Sequence, residues 1–272
     1  MSGFVFESTQ ELSKLAIQAK AWAPAAARAL DEIGVRPGST CVDLGCGAMG
    51  ILPLLAERVG PHGKVFGLDK APELLAAARA LAEAEGYSNV GLILSDLWDN
   101  RLVPGTFDLV HARFFLPHVG NAKLAVEKMV QLAKPGGVIF VQEREHSSWN
   151  FYPPLPEWQR LFELSERTMQ ALGVDINVGQ RTFHLLRDAG LEGVTVRAAV
   201  IALQDSDPYM RLALTATATI RQAILRTNPI SADELDALLV AIERHIEKPD
   251  TYMIGYTTTQ VWGRRPLQPQ VQ

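Results

Sequence analysis

The sequence predicts an α/β fold: a doubly wound, mostly parallel seven-stranded sheet with helices around it. Three observations carry that prediction. Short apolar stretches alternate with helical ones from TCVDLG at residue 40 to GGVIFVQERE at residue 136. The connections between them are short, which joins parallel strands by right-handed crossover helices. Strands such as VFGL and GVIFVQ are continuous apolar runs, the pattern of strands covered by helices on both faces.

The elements follow in order. Residues 8–33 keep helical spacing through Leu12, Leu15, Ala16 and Ala19, with an Ala-rich stretch after Pro24. GVRPGST is a loop, TCVDLG the first strand, and GILPLLAERVG a helix stopped by Gly60. KVFGLD is the second strand. APELLAAARALAEAEG is a helix with Pro72 in its first turn and Gly86 past its end. NVGLILSD and FDLVHARF are the third and fourth strands, NAKLAVEKMVQLAK a helix, and GGVIFVQERE the fifth strand. Further on, QRLFELSERTMQALG and GQRTFHLLRDAG read as helices and GVTVRAAVIAL as a sixth strand. Helical segments at 208–226 and 231–247 precede a last strand, YMIGYTTTQVWGRR. The expected organisation is an N-terminal helical lid over 1–35 and a main domain over 36–272. Cap elements at about 151–178 and 205–248 are inserted before the last strand.

Bulk properties narrow the function classes. A chain of 272 residues can bury a sizeable core, and 47% hydrophobic with 21% charged residues is ordinary for a globular protein. A net charge of −4 and a pI of about 5.9 argue against an electrostatic nucleic-acid binder. Cys41 and Cys46 lie around one tight turn that a disulfide would distort, and neither has further partners for zinc. Both read as reduced apolar residues, and no metal is expected. The N-terminus lacks a basic start followed by an apolar run, and no window approaches a membrane span. The expectation is a cytoplasmic protein without a membrane or nucleic-acid partner.

In an open parallel sheet, ligands bind beyond the carboxyl ends of the strands. VDLGCGAMG places Gly45, Gly47 and Gly50 in a G-x-G-x-x-G turn there, with Asp43 just before it. A carboxylate in that position is badly placed beside a pyrophosphate and well placed to accept hydrogen bonds from an ammonium group. S-adenosylmethionine has an amino acid end, a sulfonium and a ribose, and no phosphate. Asp69 ends the second strand, where a carboxylate takes both ribose hydroxyls, and Asp96 ends the third, where it reads an adenine amino group. Each acid alone could equally cap a turn. Three at successive strand ends favour an adenosine cofactor.

VDLGCG, GLD, SD, FDLVHAR and LAKPGG, at these spacings, resemble the class I S-adenosylmethionine-dependent methyltransferases. The small-molecule branch near the ubiquinone and menaquinone methyltransferases is most similar, over about residues 38–145, and GQRTFHLLRDAGLEGV and VWGRRP resemble it too. The resemblance implies a Rossmann-like sheet whose last strand is antiparallel, with S-adenosylmethionine as cofactor and S-adenosylhomocysteine as product. It implies that Asp43, Gly45, Cys46 and Gly47 line the methionine end, and that Asp69 holds the ribose. Lys70, Asp96 and Leu97 would flank the adenine, and Ala112, Arg113 and Phe114 would pass under the sulfonium. Gln18 and Trp22 would close over the cofactor from the N-terminal helix. Met49 is bulkier than the residue common at its place, and tolerance is expected.

Methyl transfer asks a protein mostly to align the nucleophile, exclude water and sometimes remove a proton. Candidate bases are His111, His118, Glu143, Glu145 and His146, with His146 ranked first because it leads from the fifth strand into an aromatic segment. His184 and His245 read as helix-surface residues. Phe115, His118, Glu143, Trp149 and Tyr152 are the candidate substrate-pocket residues. WNFYPPLPEW is either a lid over an apolar, aromatic metabolite or an irregular packed connection. The helices within 208–247 either roof the same pocket or form a homodimer surface. The expected reaction is O- or C-methylation of a small molecule. The rival is the same fold catalysing cyclisation or a pericyclic rearrangement, motivated by the lack of an obvious base.

Overall fold

The computed structural model describes residues 9–267. The seven-stranded sheet is present, with the expected antiparallel strand near its end. Its strands are β1 (Thr40–Leu44), β2 (Lys64–Asp69), β3 (Val90–Leu94), β4 (Phe107–Arg113), β5 (Ala133–Glu145), β7 (Glu192–Ala199) and β10 (Thr257–Arg264). Three short strands, β6 (Asn150–Tyr152), β8 (Ala202–Gln204) and β9 (Tyr252–Ile254), form a second sheet in the order β6-β9-β8. The helices are α1 (Thr9–Ile33), α2 (Leu52–Val59), α3 (Pro72–Ala84), α4 (Ala122–Leu132), α5 (Pro156–Ala171), α6 (Thr182–Asp188), α7 (Leu212–Thr227) and α8 (Ala232–Ile246).

The large sheet runs β3-β2-β1-β4-β5-β10-β7. Order reverses at β1, so β1 and its neighbours bracket the switch point where open sheets bind ligands. Parallel register sets Asp43 opposite Gly67 of β2 and His111 of β4. Cys41, Val42, Asp43 and Leu44 are all buried, as expected for a strand covered on both faces. The antiparallel course of β10 shows in its bonds to β5: Gly136 N donates to Arg265 O, Arg265 N donates to Gly137 O, and Thr259 Oγ1 donates to Glu143 O.

The LAKPGG stretch belongs to β5, which starts three residues earlier than the glycine pair. Phe107 pairs with Ala133 but Leu109 with Val138, so β5 carries a bulge opposite Asp108. Gly137 sits there because a Cβ would lie 2.8 Å from Phe107 O.

Two compact units emerge. One holds 1–143, 180–197 and 259–272; the other holds 144–179 and 198–258. The first has a core of Leu30, Leu52, Leu55, Val59, Val65 and Phe140 around the sheet. In the second, α5 packs on α7 and α8, with Phe151, Trp158, Leu164, Ile242 and Met253 buried. Each such side chain contributes about 1.5–3 kcal/mol relative to exposure.

The sequence reads 193–203 and 252–265 as single strands, and both break. Ile201 O accepts from Gly255 N at 2.9 Å, and a Cβ on Gly255 would lie 3.0 Å from the Ile201 side chain. Both segments turn at this contact, β7 giving way to β8 and β9 to β10. Apolar runs do not mark a change of sheet, which is why the break is not legible beforehand.

Candidate functional site

The turn after β1 is built on left-handed backbone. Gly45, Gly47 and Gly50 have φ of 71°, 55° and 45°, a region that glycine enters without steric cost. Gly45 is also required by space, because a Cβ there would lie 2.3 Å from the Phe115 ring. Met49 has φ of 98° yet is 5% exposed. Burial of its side chain offsets the backbone strain. A Cβ on Gly47 would lie 3.5 Å from Leu15, so α1 lies over this turn.

Asp69 ties two strand ends together. Its Oδ2 accepts from Gly47 N at 2.9 Å and its Oδ1 from Ala71 N at 3.0 Å. Asp96 Oδ1 accepts from Trp98 N at 2.9 Å, and Ser95 N donates to Asp69 O at 3.0 Å. Both acids therefore do the turn-capping job that each could do alone. Asp43 caps nothing. It is 3% exposed, with Oδ1 2.7 Å from His111 Nδ1. Leu97 is buried beside Asp96, and Lys70 is exposed.

At the end of β4, Ala112 is buried opposite Leu44. Phe114 has φ of 54° and donates its N–H to Gln142 O. Its ring meets that of Trp22 edge-on at 6.2 Å, and the Arg113 guanidinium lies 5.9 Å from it. Gln18 lies half-buried on α1, one turn before Trp22.

The candidate bases fare differently. Glu143 is 0% exposed, and its Oε1 accepts from both Phe115 N and Leu116 N at 2.8 Å. It shapes the turn after β4. Glu145 accepts from Ser147 N and Oγ. His118 is exposed in a short 3-10 turn, Leu116–His118. His111 has both ring nitrogens engaged, Nε2 lying 3.1 Å from Gln142 Oε1.

His146 has one ring nitrogen engaged. Nδ1 donates to Ile176 O at 2.9 Å, which leaves the lone pair on Nε2. Burial, and secondarily the Arg144 charge, pushes its pKa down to about 4, against the pull of the Ile176 carbonyl. The rings of Trp149, Phe162 and Tyr256 lie 5.6, 6.0 and 5.5 Å from it.

Of the substrate-pocket candidates, Phe115, His118 and Glu143 fall in the sheet unit and Trp149 and Tyr152 in the other. Within the latter, Trp149 and Tyr152 part company. Tyr152 stacks on Tyr252 with centroids 5.0 Å apart and is 37% exposed, while the adjacent Phe151 is buried. Strand alternation puts neighbours on opposite faces. His184 is exposed as expected. His245 is not: it is 5% exposed and donates from Nε2 to Pro153 O at 2.9 Å. It follows Ile242 by three residues on the buried face of α8.

Gln142 was invisible to motif reading. The one signal is a lone amide in the apolar run VIFVQ. Burial pushes the Cys41 thiol to about 12 and Cys46 well above its ordinary range, Asp43 and Asp69 adding to the latter. Both thiols are held protonated and unreactive.

A methyltransferase-domain family model matches residues 36–198, more than half of the chain. The chain belongs to this methyltransferase-domain family. It is 35% identical over 116 residues to the nocamycin O-methyltransferase of Saccharothrix syringae, 43% of this chain and 41% of that protein. It is 33% identical over 124 residues to the demethylmenaquinone methyltransferase of Bacillus cytotoxicus, 46% of this chain and 51% of that one. The chain thus spans about half the length of these methyltransferases. Among solved structures, a phosphoethanolamine N-methyltransferase of Haemonchus contortus, bound to phosphomonomethylethanolamine and S-adenosylhomocysteine, overlays with a TM-score of 0.60. The overlay has 16% identity and covers 98% of this chain and 61% of that one, a likeness of fold. No helix among the described residues is long and apolar enough to cross a membrane.

Proposed function

We propose that this chain is an S-adenosylmethionine-dependent methyltransferase acting on an O or C atom of a small, apolar or aromatic metabolite. The observation that carries the reading is the set of acids at three adjacent strand ends around a left-handed glycine turn. Asp43 lies on β1, Asp69 ends β2 and Asp96 follows β3. The O-methyltransferase and menaquinone methyltransferase relatives favour the same chemistry.

The residues suit the cofactor. Gly45, Cys46 and Gly47 present backbone without a Cβ at two of three positions, and the Asp43 carboxylate is matched to an ammonium group. Both Asp69 oxygens accept from a backbone N–H, each keeping a lone pair suited to a ribose hydroxyl, and Asp96 carries one oxygen on a backbone N–H and a second suited to an amino group. Lys70 and Leu97 adjoin them, and Ala112, Arg113 and Phe114 form the opposing strand end. Gln18 and Trp22 belong to the covering helix. When bound, S-adenosylmethionine supplies a methyl carbon already activated by a positive sulfur.

The rest is positioning and exclusion of water. His146 orients an acceptor hydroxyl through Nε2, since Nδ1 is committed to Ile176 O. Its weak basicity is adequate for this, because an oxygen that gains a carbon while keeping its proton becomes a strong acid. The aromatic surroundings of His146 support an apolar, aromatic acceptor.

Calorimetry with S-adenosylmethionine and S-adenosylhomocysteine tests the reading, and no binding of either at hundreds of micromolar would sink it. Labelled methyl transfer to phenolic and quinol acceptors tests the reaction. Substrate turnover with the cofactor unconsumed would point instead to a rearrangement.

A further inference from the structure

Asp43, His111 and Gln142 form a buried chain across β1, β4 and β5. Asp43 is 3% exposed, and His111 and Gln142 are fully buried. His111 stands directly opposite Asp43 in the parallel register, and its ring lies 5.0 Å from that of Phe140. A carboxylate this deep stays ionised only if something donates to it, and His111 Nδ1, 2.7 Å from Oδ1, is that donor. The other oxygen, Oδ2, lies 3.2 Å from where a Cβ on Gly50 would stand, so it faces the glycine turn.

The charge of this chain depends on Gln142. With Oε1 toward His111 Nε2, both histidine nitrogens must donate, making an imidazolium that neutralises Asp43. That arrangement leaves Gln142 Nε2 buried without a hydrogen-bond partner, an expensive state for a donor. Turning the amide over, which scarcely alters its shape, puts Nε2 on the His111 lone pair. The imidazole is then neutral and Asp43 keeps its full negative charge. The other titratable group beside Asp43 is the Cys46 thiol, held protonated by burial.

We propose that His111 is a positioning residue: a neutral imidazole, held by Gln142, that fixes the ionised Asp43 carboxylate with Oδ2 aimed at the ammonium group of the cofactor. This rests on the reading of the glycine turn as an S-adenosylmethionine site.

The experiment compares two ligands by calorimetry. S-adenosylhomocysteine carries the ammonium, and methylthioadenosine lacks it. In His111→Leu the expected result is a loss of at least about tenfold in affinity for the first and none for the second. Equal loss on both ligands, or no loss on either, would overturn the proposal. His111→Asn places an amide N–H where Nδ1 stood. It should bind S-adenosylhomocysteine as the wild type does, because the donor to Asp43 is restored. A loss of S-adenosylhomocysteine affinity in His111→Asn with methylthioadenosine affinity unchanged would also overturn it, whether or not His111→Leu folds. If the wild type binds neither ligand, the methyltransferase reading fails and the proposal with it. If the wild type binds both and His111→Leu matches it, only the proposal fails.

Discussion

The two units bury their polar groups in different company. In the sheet unit they include two carboxylates with their donors: Asp43 with His111, itself beside Gln142, and Glu143 with two backbone N–H groups. In the second unit the buried polar groups are histidines, threonines and an asparagine, with no buried carboxylate among the described residues. His146 donates to Ile176 O, His245 to Pro153 O, and Asn228 Nδ2 to Leu164 O and Ile224 O. The first pattern concentrates carboxylates at strand ends, and the second keeps buried groups neutral. On the proposed reading the first unit holds the charged cofactor, and whether changes in the second unit leave that binding intact can be tested experimentally.

The largest effect is expected from Trp158→Ala. Trp158 is 3% exposed, meets Phe151 and Trp149 edge-on at 5.1 and 5.0 Å, and donates from Nε1 to Trp149 O. Losing it should cost about 3–5 kcal/mol, read in chemical denaturation. At temperatures where the variant stays folded, affinity for S-adenosylhomocysteine should not change. A parallel loss of cofactor affinity would show that the two units do not divide the work.

His146→Asn comes next. An asparagine amide N–H replaces Nδ1 toward Ile176 O but leaves no Nε2. His146 is neutral in the fold down to about pH 4, whereas the unfolded chain protonates at about 6.5. Its folded pKa is depressed, so stability is fully present above 6.5 and is lost as pH falls toward 4, by about 3 kcal/mol. The variant should lack that acid slope in denaturant midpoints measured across the window. Turnover should drop about a hundredfold with cofactor affinity intact. An unchanged rate would move the acceptor's contact away from His146.

These two variants also mark where the sequence was legible. β1 to β5 could be read because each strand is a continuous apolar run closed by a turn signal, and the three acids stand at fixed places relative to those ends. The helices of the second unit could be read too, but its strands could not, because they are three residues long and two of them continue runs that belong to the large sheet. At the site, Asp69 and Asp96 were readable as strand-end acids. The partnership of Asp43 with His111 was not, because it depends on β1 and β4 lying in register across 68 residues of chain. His245 was misplaced for a related reason: one polar residue on an amphipathic helix gives no sign of which edge of the apolar stripe it occupies.

Two glycines sharpen the comparison at a smaller scale. Gly45 and Gly173 have nearly the same φ, 71° and 72°, but only Gly45 has a ring against the place of its Cβ; nothing lies within 4 Å of that place at Gly173. Gly45→Ala should cost about 2 kcal/mol, displace Phe115 and weaken S-adenosylhomocysteine at least about tenfold. Gly173→Ala should cost about 1 kcal/mol and leave the cofactor alone. Titrating both variants by calorimetry separates the backbone effect, which they share, from the site effect, which only one has.

The smallest difference expected lies in two helix caps, one in each unit. Asn121 Oδ1 accepts from Leu124 N at the start of α4, a single bond. Ser231 begins α8 with a reciprocal pair: its Oγ accepts from Glu234 N, while Glu234 Oε2 accepts from Ser231 N. Either residue replaced by alanine should cost about 1 kcal/mol, with Ser231→Ala the larger because Glu234 loses its side-chain partner as well. The carboxylate of Glu234 is held below its ordinary range by these bonds, the backbone one first. The stability difference between Ser231→Ala and the wild type should therefore shrink as Glu234 is protonated at acid pH, and Asn121→Ala should show no matching trend. Denaturant midpoints at neutral and acid pH would reveal it, and a constant gap for Ser231→Ala would mean that its hydroxyl caps α8 without help from the carboxylate.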